Sequence, residues 1–344
     1  MEEKILFIGP IADQGGPAIK NKIMVRALEE TASLEIHNTY DKKLRSRLGA
    51  IRKILFGRQR FIIVAVSRKG RNLLYPFLLL RKRMSGIRYC CVIIGGNANR
   101  SFRSRSAAEA MRQADLVTAE TRGILGSLRS AYGLENDYWL PNYKVLDGYD
   151  TAGDAAARFQ ASPLRFLFLS SMRNAKGVKT LLRAFRSILV EGADAELDFY
   201  GPIREDFDRD LLEEIRRAEH IRYCGAVENS MVLDIMRQYQ VFVFPTEYTG
   251  EGFPAVLVEA MAAGLPVIAS DMNENPEIIR EGRNGWLFAH GNEEELADRF
   301  RTCLRSRDIL ARMSENNLED ARDYDASVVL AAFSSKLRSL GWPV

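Results

Sequence analysis

Two periodicities alternate along the chain. Short apolar runs (KILFIGP, LEIHNT, FIIVAVS, RYCCVIIGG, DLVTAE and YWLPN) are separated in several places by helix-like segments. The runs predict strands. The first helix is expected from about Pro17 to Glu30, and a second, basic one ends near Leu55. FIIVAV is apolar at every position, as a parallel strand covered on both faces is. From Leu146 to Pro163 the residues are small and polar without a strong period, which predicts a linker. A second alternation follows: LRFLFLSS, a helix through TLLRAFRSILVEG, AELDFYGP, a helix around Asp210 to Ala218, IRYCGAV, and a helix near Met231 to Arg237. VFVFP, then PVIAS, a strand, and a final helix pair complete it. Strands alternating with helices imply parallel sheets with helical crossovers, here in two successive halves.

A length of 344 residues leaves room for two domains, and 47% hydrophobic with 27% charged residues is ordinary for a globular protein. No stretch reaches the apolar length of a membrane span, and the charged, strand-like start MEEKILFIGP does not read as a signal peptide. Cys90, Cys91, Cys224 and Cys303 lack metal-ligand spacing and read as reduced core residues of a cytosolic protein. His37, His220 and His290 stand beside no Ser or Cys nucleophile pattern, which argues against a hydrolytic triad. Charge changes the picture more. The net charge is +4, yet between Asp41 and Arg105 there are 18 Lys/Arg and one acid, Asp41. A solvated face mixes signs, so this block predicts an extended anionic partner. Within it, LLYPFLLLRKRM joins an apolar run to Arg81, Lys82 and Arg83. It reads either as a core helix with a solvated end or as an interfacial element whose cations meet headgroups.

The densest chemistry lies in FPTEYTGEGFPAVLVEAMAAG, from Phe244 to Gly264. A strand runs into a polar loop, then into a helix opened by Pro254 and stopped by Gly264. Glu259 falls in a helix apolar almost all round and so is expected to be buried. A carboxylate there needs donors, which sugar hydroxyls, a buried Arg or a backbone turn could supply. REDFDRD contains Asp206 and Asp208, but its context is a helix start, where Asp is favoured by the dipole, and no metal is expected.

This segment resembles the donor-site signature of the retaining glycosyltransferases of family 4, built on the GT-B fold. The resemblance implies an α/β protein of two Rossmann-like β/α/β domains with parallel sheets facing across a cleft. A basic acceptor-binding domain would occupy 1–160 and a nucleotide-sugar donor domain 161–325. A terminal helix over 326–344 would pack back on the first domain. Glu251 would act near the transferred sugar and Glu259 would bind the ribose. Backbone around Gly252, Phe253 and Pro254 would open toward the donor diphosphate, as helix N-termini do for anions. LSSMRNAKGVKTLL is similar to the family's second donor element, in which an Arg and a Lys hold the diphosphate. Lys176 takes the lysine's place. The arginine usually lies five residues earlier, where this chain has Ser171, and Arg173 is the nearest substitute.

Gly15 and Gly16, at a strand–helix turn, would touch the donor phosphates and sugar; glycines there also serve plain turn chemistry. Asn97 and Arg100 stand where relatives place a polar group near the sugar, and make either a sugar or acceptor contact or a loop turn. By resemblance the chemistry is front-face displacement without cofactor or metal, the leaving diphosphate helping to take the acceptor proton. With the basic block, this predicts a retaining hexosyltransferase moving a sugar from a nucleotide-sugar, UDP favoured, to a lipid-diphosphate-linked glycan. The setting would be surface polysaccharide or lipopolysaccharide assembly at the inner face of the cell membrane. A sugar-nucleotide epimerase, or a non-catalytic basic protein binding membrane or nucleic acid, are the alternatives on this scaffold. Nucleic acid is disfavoured because the charge lacks interleaved aromatic residues.

Overall fold

The computed structural model describes residues 3–41, 43–95, 104–146 and 155–344. The chain divides into two units: unit 1 is Met1–Val145, Gly250–Phe253 and Tyr324–Val344, and unit 2 is Leu146–Thr249 and Pro254–Asp323.

Unit 1 alternates β1 (Ile5–Gly9), α1 (Gly16–Glu29), β2 (Leu34–Asn38), α2 (Leu44–Phe56), β3 (Phe61–Val66), α3 (Arg68–Ser85), β4 (Arg88–Ile93), α4 (Arg105–Arg112), β5 (Leu116–Ala119), α5 (Arg122–Tyr132) and β6 (Asp137–Trp139). Its strands pair in parallel in the order β2-β1-β3-β4-β5-β6. Successive strand side chains point to opposite faces, so the runs apolar at every position feed two cores. Ile62, Val64 and Cys91 pack with α2, α3, α4 and α5. Phe61, Ile63 and Cys90 pack with Met24, Val25 and Leu28 of α1. Burial pushes the Cys91 thiol up to about 12, so it stays an unreactive core group.

Unit 2 contains α6 (Ala155–Gln160), β7 (Leu164–Leu169), a 3₁₀ turn (Asn174–Lys176), α7 (Val178–Val190), β8 (Ala195–Tyr200), α8 (Arg209–Arg217), β9 (Ile221–Tyr223) and α9 (Val232–Met236). It continues with β10 (Val241–Phe244), α10 (Ala255–Ala262), β11 (Val267–Ser270), α11 (Asn275–Ile278), β12 (Gly285–Phe288), α12 (Glu293–Arg305) and α13 (Arg307–Ala321). The parallel strand order is β12-β11-β10-β7-β8-β9. Phe166, Phe185 and Phe300 meet edge-on at 4.9–5.5 Å in its core. The last helix, α14 (Ala326–Ser339), belongs to unit 1, where Val329, Leu330, Phe333 and Leu337 join the α1-side core.

Each sheet reverses its winding once, between β1 and β3 in unit 1 and between β7 and β10 in unit 2. Ligands of open parallel sheets bind outside the carboxyl ends of the strands at such switch points.

Two sequence expectations change. The linker over 146–163 holds α6, too short to show a period, with Phe159 fully buried in the unit 2 core. Its neighbour Arg158 donates to Tyr239 O at 2.8 Å and Ala263 O at 3.1 Å, satisfying carbonyls just past α9 and α10. Burial brings the Arg158 pKa down to about 10. Cys224 is exposed rather than a core residue, because it follows the short edge strand β9.

Candidate functional site

The unit 2 switch point is built from the loops after β7 and β10. Gly177 follows the 3₁₀ turn with φ +70°, and a Cβ there would lie 1.8 Å from the Pro245 carbonyl oxygen. Only glycine allows the loops this approach. Glu247 fastens them: its N–H donates to Ala175 O at 2.9 Å, and its carboxylate accepts the Thr180 hydroxyl at 2.8 Å. Lys176, last in the turn, thereby stands with Nζ 5.4 Å from the Tyr248 ring centre and 5.8 Å from that of Phe244. The sequence marks Lys176, but no local pattern marks Glu247 or Thr180.

Past the β10 loop, Pro254 is the cap of α10, with an extended ψ of 112°, and not its first helical residue as expected; the helix starts at Ala255. The helix buries Leu257, Val258, Ala260, Met261 and Ala262. Glu259 is not buried as expected. It is half-buried, on the face it shares with Ala255 and Val256, and so is reachable by a ligand. Glu251 and Gly252, also half-buried, lie in the short segment that belongs to unit 1. There the Asn142 amide donates to Phe253 O at 3.0 Å, and the Phe253 and Tyr324 rings meet at 5.3 Å.

Arg173 is exposed, 3.9 Å from Asp206 in a solvent-facing ion pair of the kind that contributes little. Asp208 caps α8, accepting the Asp210 and Leu211 N–H groups. Among the described residues no group of three or more His, Cys, Asp or Glu is placed to hold a metal.

Beyond β11 the Ser270 hydroxyl donates to Thr246 O at 2.6 Å, and the Asn275 amide to Ser270 O at 3.0 Å. The adjacent Glu274 carboxyl is pushed up to about 7, first by burial and then by Glu277. Its folded pKa exceeds the ordinary 4.5, so the folded state holds an extra proton between those values, and the group's stabilising contribution is lost as pH rises through about 7. Glu274→Gln should therefore raise the melting temperature more at pH 8 than at pH 5. An equal shift at both would place the pH dependence elsewhere.

In unit 1, Gly15 takes φ +82° and caps α1, and both Gly15 and Gly16 are exposed. Asn97 and Arg100 lie outside the described residues. Of the two readings of α3, Arg81 and Lys82 fit the core helix better than the interfacial element. Leu74, Tyr75, Leu78 and Leu79 of α3 are core residues. Arg81 donates to Leu55 O and, at 2.7 Å, to Gly57 O, while Lys82 reaches Gln113 O at 2.5 Å. They serve helix-end carbonyls, which attract cations; Arg83 alone of the three is exposed.

Residues 163–306 match the family described as glycosyl transferases group 1. Over 154 residues the chain is 36% identical to phosphatidyl-myo-inositol mannosyltransferase of Mycobacterium leprae, covering 45% of this chain and 40% of that protein. It is 29% identical over 154 residues to sulfoquinovosyl transferase SQD2 of Arabidopsis thaliana, covering 43% of this chain and 29% of that protein. The chain spans less than half the length of these curated relatives. Among solved structures, Anabaena Alr3699/HepE in complex with UDP is similar with a TM-score of 0.77 at 17% identity, covering 98% of this chain and 100% of that one. Sucrose-phosphate synthase of Thermosynechococcus elongatus is similar with a TM-score of 0.76 at 15% identity, covering 98% and 99%. The structural likeness is one of fold and the sequence likeness one confined to part of the chain: the chain has the GT-B fold, and its residues 163–306 are similar to the group 1 glycosyl transferases.

Proposed function

We propose that the protein transfers a hexose from a UDP-sugar to a lipid-diphosphate-linked glycan, with retention and without a metal, at the inner face of the cell membrane during surface polysaccharide assembly. The observation that carries this reading is the position of Lys176. It sits at the β7/β10 switch point of unit 2, anchored by Glu247 and flanked by Tyr248 and Phe244. A fixed cation at the carboxyl ends of a parallel sheet suits a diphosphate. Glu259 supplies the acceptor for ribose hydroxyls and Glu251 acts near the sugar. The bond from the anomeric carbon to the diphosphate oxygen breaks as the acceptor oxygen bonds on the same face. The departing diphosphate takes the acceptor's proton. Lys176 stabilises the charge that develops on that diphosphate, the kind of term that dominates many reactions of this type.

UDP is favoured because Alr3699/HepE is solved with UDP and with UDP-glucose. A lipid-linked acceptor is favoured by the name of the Mycobacterium leprae relative. Incubation with UDP-glucose and a lipid-diphosphate-linked acceptor, followed by NMR of the product, tests the reading. An α-linked product from the α-linked donor is expected, and an inverted product would overturn it.

Membrane docking is supported by α2 rather than α3. Leu44, Leu48, Arg52 and Phe56 recur at four-residue spacing along one face of α2 and are all exposed, Leu44 and Phe56 by 70% and 74%. Arg45, Arg47 and Lys43 are exposed beside them. Apolar side chains ringed by cations suit an anionic bilayer surface, where each basic residue contributes about 1 kcal/mol. The protein is expected to sediment with anionic but not neutral liposomes, and less as salt rises. Leu48→Glu with Phe56→Glu should release it. Equal sedimentation with both vesicle types would remove the anionic-surface reading.

A further inference from the structure

Unit 1 buries a cluster of charge that takes no part in the donor contacts proposed above. Lys20, on the second turn of α1, holds Nζ 3.0 Å from Oε1 of Glu120, and the side chains are only 4% and 6% exposed. Glu120 directly follows β5, and its other oxygen accepts the Gly95 N–H at 3.2 Å. Gly95, just past β4, has φ +91°, a conformation that side chains rarely adopt. Arg71 of α3, also fully buried, brings a guanidinium nitrogen to 3.5 Å from Ile94 O. On the other side, Lys20 stands 5.2 Å from the Tyr143 ring centre, and the Tyr143 hydroxyl donates to Lys20 O at 3.0 Å. The next residue, Asn21, donates to Pro10 O and Ala65 O at 3.0 and 3.1 Å. One connected set of buried polar groups thus touches the ends of β1, β3, β4 and β5.

Taking two charges out of water is costly, and an apolar pair of similar volume commonly folds as well. What the charges add here is direction. Glu120 has one oxygen for α1 and one for the β4 exit, so it sets one against the other. We propose that Lys20 and Glu120 are positioning residues for glycosyl transfer, holding the Gly95 turn and the Gly15–Gly16 start of α1 in one arrangement. This rests on the transferase reading above. The nucleotide contacts proposed above, Lys176 and Glu259, belong to unit 2, so the pair should govern turnover far more than UDP affinity.

The double variant Lys20→Met/Glu120→Leu, made in the full chain, tests this. It should fold with a melting temperature near the parent's and bind UDP with an unchanged Kd. Its kcat should fall by about 10²-fold with donor KM little altered, the scale of loss that small misplacements produce. Hydrogen exchange at the Gly95 amide should speed up by about tenfold, the factor one hydrogen bond typically carries. Parental kcat together with parental Gly95 exchange would make the pair structural only and overturn the proposal. If the double variant does not fold, Glu120→Gln decides on the same two readouts, with faster exchange and lower kcat expected, and no change in either contradicting it. The Gly95 measurement needs no activity, so a parent that fails to bind UDP would sink the transferase reading separately.

Discussion

Replacing Lys176 with alanine is expected to lower kcat/KM by about 10²–10³-fold, the usual effect of removing one preorganised group that stabilises transition-state charge. The fold should survive. Lys176 is half-buried at the end of a 3₁₀ turn whose geometry is set by Gly177 against Pro245 and by the Glu247–Thr180 bond, none of which uses the lysine side chain. The loss should appear mostly in kcat, because a cation on the leaving diphosphate gains most as that group departs. Lys176→Arg should recover only part of the rate, since a planar guanidinium is not a point charge. Steady-state rates with a melting curve for each variant check this. A folded Lys176→Ala protein with a near-parental rate would remove Lys176 from the chemistry. Arg173, exposed beside Asp206, should matter far less.

Glu259→Ala is expected to weaken nucleotide binding by about 10- to 150-fold, the range that corresponds to a hydrogen bond accepted by a charged group. The fold should survive, because the buried face of α10 is carried by Leu257, Val258, Ala260 and Met261. Glu251→Ala should behave oppositely, cutting turnover more than affinity, since it is assigned to the sugar and not the ribose. Calorimetry with UDP, set against steady-state rates, separates the two. If the Glu259 variant keeps the parental Kd, the ribose assignment fails. If both lose only kcat, the glutamates share one role.

The sheets were readable from the chain because parallel strands buried on both faces leave continuous runs such as FIIVAV, and helices between them leave a different period. Gly15 and Gly16 were readable at the first strand–helix turn, but Gly177 was not, because what makes it irreplaceable is a carbonyl oxygen from another loop. What the sequence hides is chemistry between distant positions. Thr180 and Glu247 are 67 residues apart, and Lys20 and Glu120 are 100 apart. No local pattern marks a lysine in α1 as buried. Glu259 misled for a related reason: its neighbours are almost all apolar, and only the packing of α10 shows that one narrow face stays open. In α3 the apolar run draws attention to Arg81 and Lys82, whose partners are carbonyls at the ends of α2 and α4. The exposed apolar stripe of α2 passes unnoticed among its many cations.

Calorimetric titration of the intact protein with UDP tests most directly whether the β7/β10 switch point holds a nucleotide diphosphate. Saturable binding in the parent, weakened in both Lys176→Ala and Glu259→Ala and unaffected by Asp206→Ala, is the predicted result. No binding of UDP by a folded parent, or binding indifferent to Lys176 and Glu259 together, would contradict it.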